Sequence, residues 1–226
     1  MYSSICLIAL FGMLSACNKK EEPPPQAQTT PTATPKPKGP ADYLNLMSAN
    51  PDSLPPEEAP IARALNETGK MLADVDAAAK PFETNVEAQV IKPLVAIKTK
   101  EDVATVKKAA EDLKDAATKR RDVLNGLQTN MTTQLKAAGL SDDMASQVTN
   151  LFLERNGIPK QAARSDALAK LADSALGVTD YLEKNAGKWK PGKETGISFT
   201  DKKTLEGFQA SYQQVQLAIQ QVNSAL

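Results

Sequence analysis

Three stretches of this chain carry apolar side chains at alternating steps of four and three, and no other feature limits its fold so tightly. One runs Ile61, Leu65, Thr68, Leu72, Val75, Ala79, Phe82, Val86. A second runs Val103, Val106, Ala110, Leu113, Ala117, Arg120, Leu124, Leu127, Met131, and a third Leu205, Phe208, Tyr212, Val215, Ile219, Val222, Leu226. Such spacing draws one apolar stripe along a helix and suits long helices that pack at shallow angles. The expected fold is therefore all-α: an elongated antiparallel helical bundle.

Capping signals divide the pattern into elements. Thr99 with Asp102, and Ser141 followed by Asp142 and Asp143, can take up the free amides of a first helical turn. Gly139, Gly157 and Gly187 suit helix ends. The spacing predicts a short helix over 42–49, a Pro-rich joint over 51–60, then helices over 61–97, 100–138, 141–156, 160–186 and 201–224. Pro81 and Pro93 should kink or split the first long one. The 100–138 helix should be about 58 Å long at 1.5 Å per residue. One short β-hairpin near the C-terminus interrupts the helices at Lys188–Phe199, where Pro191-Gly192 marks a turn and Ile197 and Phe199 flank Ser198. Trp189, the single tryptophan, is expected to lid the end of the bundle, with a partner-anchoring role as the alternative.

The N-terminal region cannot belong to that body. Ile5 to Leu14 (ICLIALFGML) is apolar, ends in Leu14-Ser15-Ala16-Cys17, and gives way at once to Asn18-Lys19-Lys20-Glu21-Glu22. That run is too short to span a hydrocarbon core of roughly 30 Å, and its small residues suit cleavage between Ala16 and Cys17. The expected division is a signal peptide over 1–16, a lipidated cysteine and tether over 17–40, and a helical domain over 41–226. Residues 18–40 hold seven of the chain's 15 prolines and almost no apolar side chain. Extended in polyproline form at about 3.1 Å per residue, they reach roughly 70 Å.

The Leu14-Ser15-Ala16-Cys17 tetrapeptide resembles the lipobox of bacterial lipoproteins. That resemblance implies a diacylglycerol and an N-acyl chain carried covalently on Cys17, an attachment well beyond what stable membrane anchoring needs. Asn18, where Asp commonly means retention in the inner membrane, implies the outer membrane, facing the periplasm, with the inner membrane as the alternative. Cys6 would leave with the signal peptide, so the mature chain would have no thiol to oxidise.

Composition removes several activities. Lysine plus arginine and aspartate plus glutamate balance at 27 each, which is no footprint for a nucleic-acid binder. The chain has no histidine, so the commonest general base and the usual zinc ligands are missing. Gly187, Gly192 and Lys193 have the spacing of a phosphate loop, but Glu194 stands where Ser or Thr is needed and the segment follows a helix. Asp74 with Asp76, Asp142 with Asp143, and Glu57 with Glu58 lack the glycine turn of a calcium loop. No metal or cofactor is expected besides the lipid. Lys107, Lys108, Lys114, Lys119, Arg120 and Arg121 alternate with Glu111, Asp112, Asp115 and Asp122, the pattern of a salt-bridged exposed face.

Val90-Ile91-Lys92-Pro93-Leu94-Val95 before a long helix, Asp180-Tyr181-Leu182 before the hairpin, and Gly196-Ile197-Ser198-Phe199 before the last helix complete a second likeness. In that order the body resembles a family of helical lipoproteins of enterobacteria that brings no established activity. The expected role is a non-catalytic binding or structural module of the cell envelope, held to the membrane by lipid and meeting an envelope protein. An enzyme using carboxylates or a Ser-Lys pair is one alternative; a carrier with an apolar cavity is another. Arg120 sits on the apolar stripe. Its stem should lie on the stripe while the guanidinium reaches water, Asp122 or Glu111, or its charge sits at a partner-facing or register-setting point.

Overall fold

Helices begin where short polar side chains can accept from their first amides. In a computed structural model, which describes residues 38–192 and 196–225, Thr99 Oγ1 accepts from the Asp102 amide at 3.0 Å and the Asp102 carboxylate accepts from the Thr99 amide at 2.9 Å. This reciprocal cap opens α4 (Lys100–Ala137). Ser141 accepts from the Met144 amide to open α5 (Asp142–Arg155), and Asp201 accepts from the Thr204 amide to open α7 (Lys202–Ser224). Gly139 and Gly157 adopt positive φ of 104° and 59° at the turns after α4 and α5, a region that residues bearing a Cβ avoid. Gly157 leads directly into α6 (Ile158–Lys184).

The N-terminal part of the body is less regular. Its elements are α1 (Pro40–Leu44), 3-10 turns at Asn45–Ser48 and Pro51–Ser53, and α2 (Ala59–Glu83). A π-helical turn at Glu87–Ile91 then runs into α3 (Lys92–Val95). The single helix expected over 61–97 is thus split: α2 ends two residues past Pro81, and the π-helical turn gives way to α3 at Pro93. Pro81 lies in the last turn of α2, where Thr84 Oγ1 donates to the Lys80 carbonyl at 2.7 Å and Asn85 Nδ2 to the Pro81 carbonyl at 2.9 Å. Those side chains take up the terminal carbonyls and end the helix at Glu83. Pro93 falls in the first turn of α3, where its missing N–H costs nothing.

The long helices run antiparallel to their neighbours. Thr68 of α2 meets Gln134 of α4, and Glu83 meets Arg120. Thr132 of α4 meets Thr149 of α5, and Lys107 of α4 meets Asp180 of α6. Helix α4 therefore packs with α2, α5 and α6, while α6 lies between α4 and α7. At 38 residues, α4 extends about 57 Å.

Every position of the α4 stripe is buried, and it feeds two apolar clusters. In the first, Val103, Val106, Ala110, Leu113 and Ala117 meet Leu168, Leu171, Ala175, Val178 and Leu182 of α6, with Val90, Leu94, Ile97 and Val215. In the second, Leu124, Leu127, Met131 and Leu135 meet Ile61 and Leu65 of α2, with Ala145, Val148, Phe152 and Ile158. Arg120 stands between them. On α7 the stripe begins one residue earlier than expected: Thr204 is 4% exposed and Leu205 39%. The Asp201 cap fixes the first turn, and the Tyr181 hydroxyl donates to the Thr204 carbonyl at 2.9 Å. Leu226 lies outside the described residues.

The hairpin is present, with β1 (Trp189–Pro191) antiparallel to β2 (Ile197–Phe199) and Trp189 opposite Phe199. Trp189 packs on the first cluster and its Nε1 donates to the Leu182 carbonyl at 2.9 Å, so it covers that end of the core. Phe199 and Phe208 continue the cover, their ring centroids 5.0 Å apart.

Gly207 in α7 faces Tyr181 so closely that a Cβ there would lie 2.7 Å from Tyr181 Cζ. Alanine is preferred to glycine in an open helix by about 1 kcal/mol. Here the clash outweighs that gain, and Gly207→Ala is expected to lower stability by about 1 to 3 kcal/mol. A shifted urea midpoint at unchanged slope is the check; a rise in midpoint contradicts the close packing.

Candidate functional site

The residue that breaks the apolar pattern is the best-connected polar group among the described residues. Arg120 is 9% exposed, and its guanidinium bonds to side chains of other helices instead of its own. Nε donates to Asp76 Oδ1 at 2.8 Å, Nη1 to both oxygens of Glu83 at 2.9 and 3.1 Å, and Nη2 to Gln161 Oε1 at 2.8 Å. The Gln161 amide nitrogen donates to the Asn156 carbonyl at 2.8 Å, which turns its oxygen toward Arg120. Asp122, expected as a partner, instead accepts from Arg121 at 2.9 Å. The expectation of a guanidinium in water or paired along its own helix is corrected, while a register-setting place between helices fits these contacts. Its partners sit on α2 and α6, 37 to 44 positions away, where spacing along α4 carries no trace of them.

This layer crosses the bundle where the two clusters meet. Its carboxylates are unequal: the Glu83 side chain is 11% exposed and that of Asp76 is 49%. Removing Arg120 would strand Glu83 without a partner, while Asp76 could rehydrate. A buried charge left alone is far costlier than an exposed one. Asp76 is therefore a partner in this layer, whereas Asp74 pairs on its own helix, with Lys70.

A second set of charges follows the α4–α6 seam. Lys107 Nζ lies 2.9 Å from Asp180 and 2.7 Å from Glu183, Lys114 lies 2.6 Å from Asp173, and Arg121 lies 3.5 Å from Asp166. The rungs rise in steps of seven on both helices. Of the pairings expected within α4, Lys108 with Asp112 and Arg121 with Asp122 are present; Lys107 and Lys114 cross to α6 instead. Hydrogen bonds to Glu183 and Asp180 push the Lys107 ammonium well up from its ordinary value, and Asp173 raises Lys114. Lys170, then Arg121, hold Asp166 below the usual carboxylate range, and the backbone amides of Lys98 and Thr99 do the same for Asp102.

Two depressions adjoin these elements. An open groove of about 650 Å³ between the α2–α3 connection and α4 is lined by Phe82, Ala88, Pro93, Ala104 and Lys108, among others. A smaller one of about 210 Å³ lies beside Trp189, with Lys100, Val103 and Glu183. No group of three His, Cys, Asp or Glu among the described residues could hold a metal ion, and no described helix is long and apolar enough to cross a membrane. Ala16 and Cys17, the cleavage and lipidation residues, lie outside the described residues, as do Lys193 and Glu194.

No family model, curated protein or solved structure matches the chain.

Arg120→Leu is expected to destabilise the protein by about 2 to 4 kcal/mol by leaving Glu83 unpaired, and Asp76→Ala by less than about 1 kcal/mol. Equal losses in denaturant titrations of the two variants would contradict the unequal burial.

Stability should be flat between about pH 6 and 8, because no histidine is present to titrate there. Asp102, Asp166 and Asp201 are lowered from 3.8, so what they contribute is present above that value and lost as pH falls through their folded values. Lys107 and Lys114 are raised from 10.5, so theirs is complete below that value and lost as pH climbs through the folded values. Urea midpoints at pH 6, 7 and 8 check this; a steep change inside that window contradicts it.

Proposed function

We propose that this chain is a lipid-anchored lipoprotein facing the periplasm, whose helical body acts as a binding and structural module of the bacterial cell envelope. The observation that carries the reading is one of order. An apolar run ends in Leu14-Ser15-Ala16-Cys17, a proline-rich polar segment follows, and a helical body begins at Pro40. Acyl chains on Cys17 would hold the chain to the membrane, and the following segment could set the body at a distance of up to roughly 70 Å. Asn18 favours the outer membrane. The likeness to enterobacterial helical lipoproteins supports the same reading.

The body suits a role in which surfaces are presented. A long helix stiffened by an ion-pair seam and a buried arginine layer keeps its exposed faces at fixed separations. In this reading the protein carries no catalytic activity and no cofactor beyond its lipid, and its partner is another envelope protein.

Expression of the full chain in a bacterial host fed an alkyne-bearing palmitate tests the anchor. The parent chain is expected to take up label and to fractionate with the outer membrane. Cys17→Ser is expected to lose the label and remain unprocessed, because no other residue of the mature chain can form the thioether. Label retained by Cys17→Ser, or absent from the parent, overturns the reading.

A further inference from the structure

Helix α7 carries a second stripe. From Gly207 to Ala225 it has no Asp, Glu, Lys or Arg, in a chain where such residues make up 24%. Its inner stripe, with Phe208, Tyr212, Val215, Ala218 and Ile219, packs on α6 and the hairpin. The outer one runs Ala210, Gln214, Leu217, Gln221, Ser224, again in steps of four and three, and every member is exposed. Leu217, at its centre, is 44% exposed.

We propose that this face is the contact with a second copy of the chain, formed by two α7 helices lying antiparallel about a two-fold axis at Leu217. The order of residues argues for that occupant. Read from either end, the stripe is small residue, glutamine, leucine, glutamine, small residue. A two-fold axis sets Leu217 against its own counterpart, Gln214 against Gln221 of the other copy, and Ala210 against Ser224. An isologous contact demands a patch complementary to itself. A neutral amide is such a complement, since it both donates and accepts, whereas a like-charged pair on the axis would repel. Depletion of charge is also what marks the centre of an interface.

Shape agrees with charge. A groove of about 320 Å³ between α6 and α7 is lined by Ser174, Gln214, Leu217, Ala218 and Gln221, with Lys170 and Asp173 at its α6 side. Leu217 forms part of the groove wall. A two-fold axis at Leu217 therefore brings the groove walls of the two copies together around the paired leucines. One helix pair is a small contact, so the association is weak in dilute solution. Confinement of both copies to one surface would raise their effective concentration. The contact itself belongs to the body and goes beyond the anchoring proposal.

Cysteine scanning of the full chain, with a short bis-maleimide applied to expressing cells and the parent chain as the blank, tests it. Leu217→Cys is expected to crosslink to itself. Ala210→Cys and Ser224→Cys are each expected to give no more dimer than the blank alone, and to give dimer when the two variants are co-expressed. Adding Leu217→Glu to that co-expressed pair is expected to abolish the dimer while the helical circular dichroism of the purified chain is unchanged. Four results would overturn the proposal: no Leu217→Cys dimer, Ala210→Cys crosslinking to itself, a co-expressed pair insensitive to Leu217→Glu, or Leu217→Cys attached to a different protein instead of a second copy. Because these variants retain Cys17, loss of palmitate label from the parent chain is read separately, so failure of the anchor and failure of the dimer are distinguishable.

Discussion

One guanidinium, shared among Asp76, Glu83 and Gln161, decides how the helices of this body align. The heptad spacing of α4 makes the helix good at packing and poor at knowing where to stop. Sliding α6 by seven residues would still set apolar side chains against apolar side chains. The ion-pair seam does not prevent this, because its rungs recur at the same interval: after such a slip Lys107 would face Asp173 and Lys114 would face Asp166. Arg120 breaks the repeat. Only one alignment gives it Gln161 on one side and two carboxylates on the other: sliding α6 takes away Gln161, and sliding α2 takes away both carboxylates.

The same layer explains why α2 stays docked over its whole length. Ile61 and Leu65 anchor its start in the second cluster, but from Leu72 to Val75 the inward side chains are half-buried, and Ala77 and Ala78 are exposed. Apolar contact there is thin. Asp76 and Glu83 supply the attachment that packing does not, just before the helix ends and the chain turns through the π-helical segment to α3. A buried ionic layer is seldom the most stabilising choice; its gain here is a single alignment.

Much of this architecture is legible in the sequence. The alternation of four and three placed every buried position of α4 but Leu135, Thr99 and Asp102 marked the start of α4, and Ile197-Ser198-Phe199 marked a strand. Those are local signals, read within a turn or two of one element. What escaped was set by contact between elements. Arg120 was readable as an anomaly but not as a hub, since its partners lie on other helices. The start of α7 was displaced by one residue because a cap and a tyrosine from α6 orient its first turn. The break after α2 is a local matter, where Thr84 and Asn85 side chains take up backbone carbonyls between Pro81 and Pro93. The segment that bears on location speaks through sequence alone, as residues 1–37 are outside those described.

The most direct test of the central role of Arg120 is a double-mutant cycle with Glu83, measured by urea unfolding of the parent, Arg120→Leu, Glu83→Leu and the double variant. Arg120→Leu strands the buried Glu83, Glu83→Leu leaves Arg120 with only the half-exposed Asp76 as counter-ion, and the double change removes both buried charges, so the double variant should be more stable than the sum of the single losses implies, by at least about 1.5 kcal/mol. Losses that add to within about 0.5 kcal/mol would show that the two groups act independently and would contradict the account.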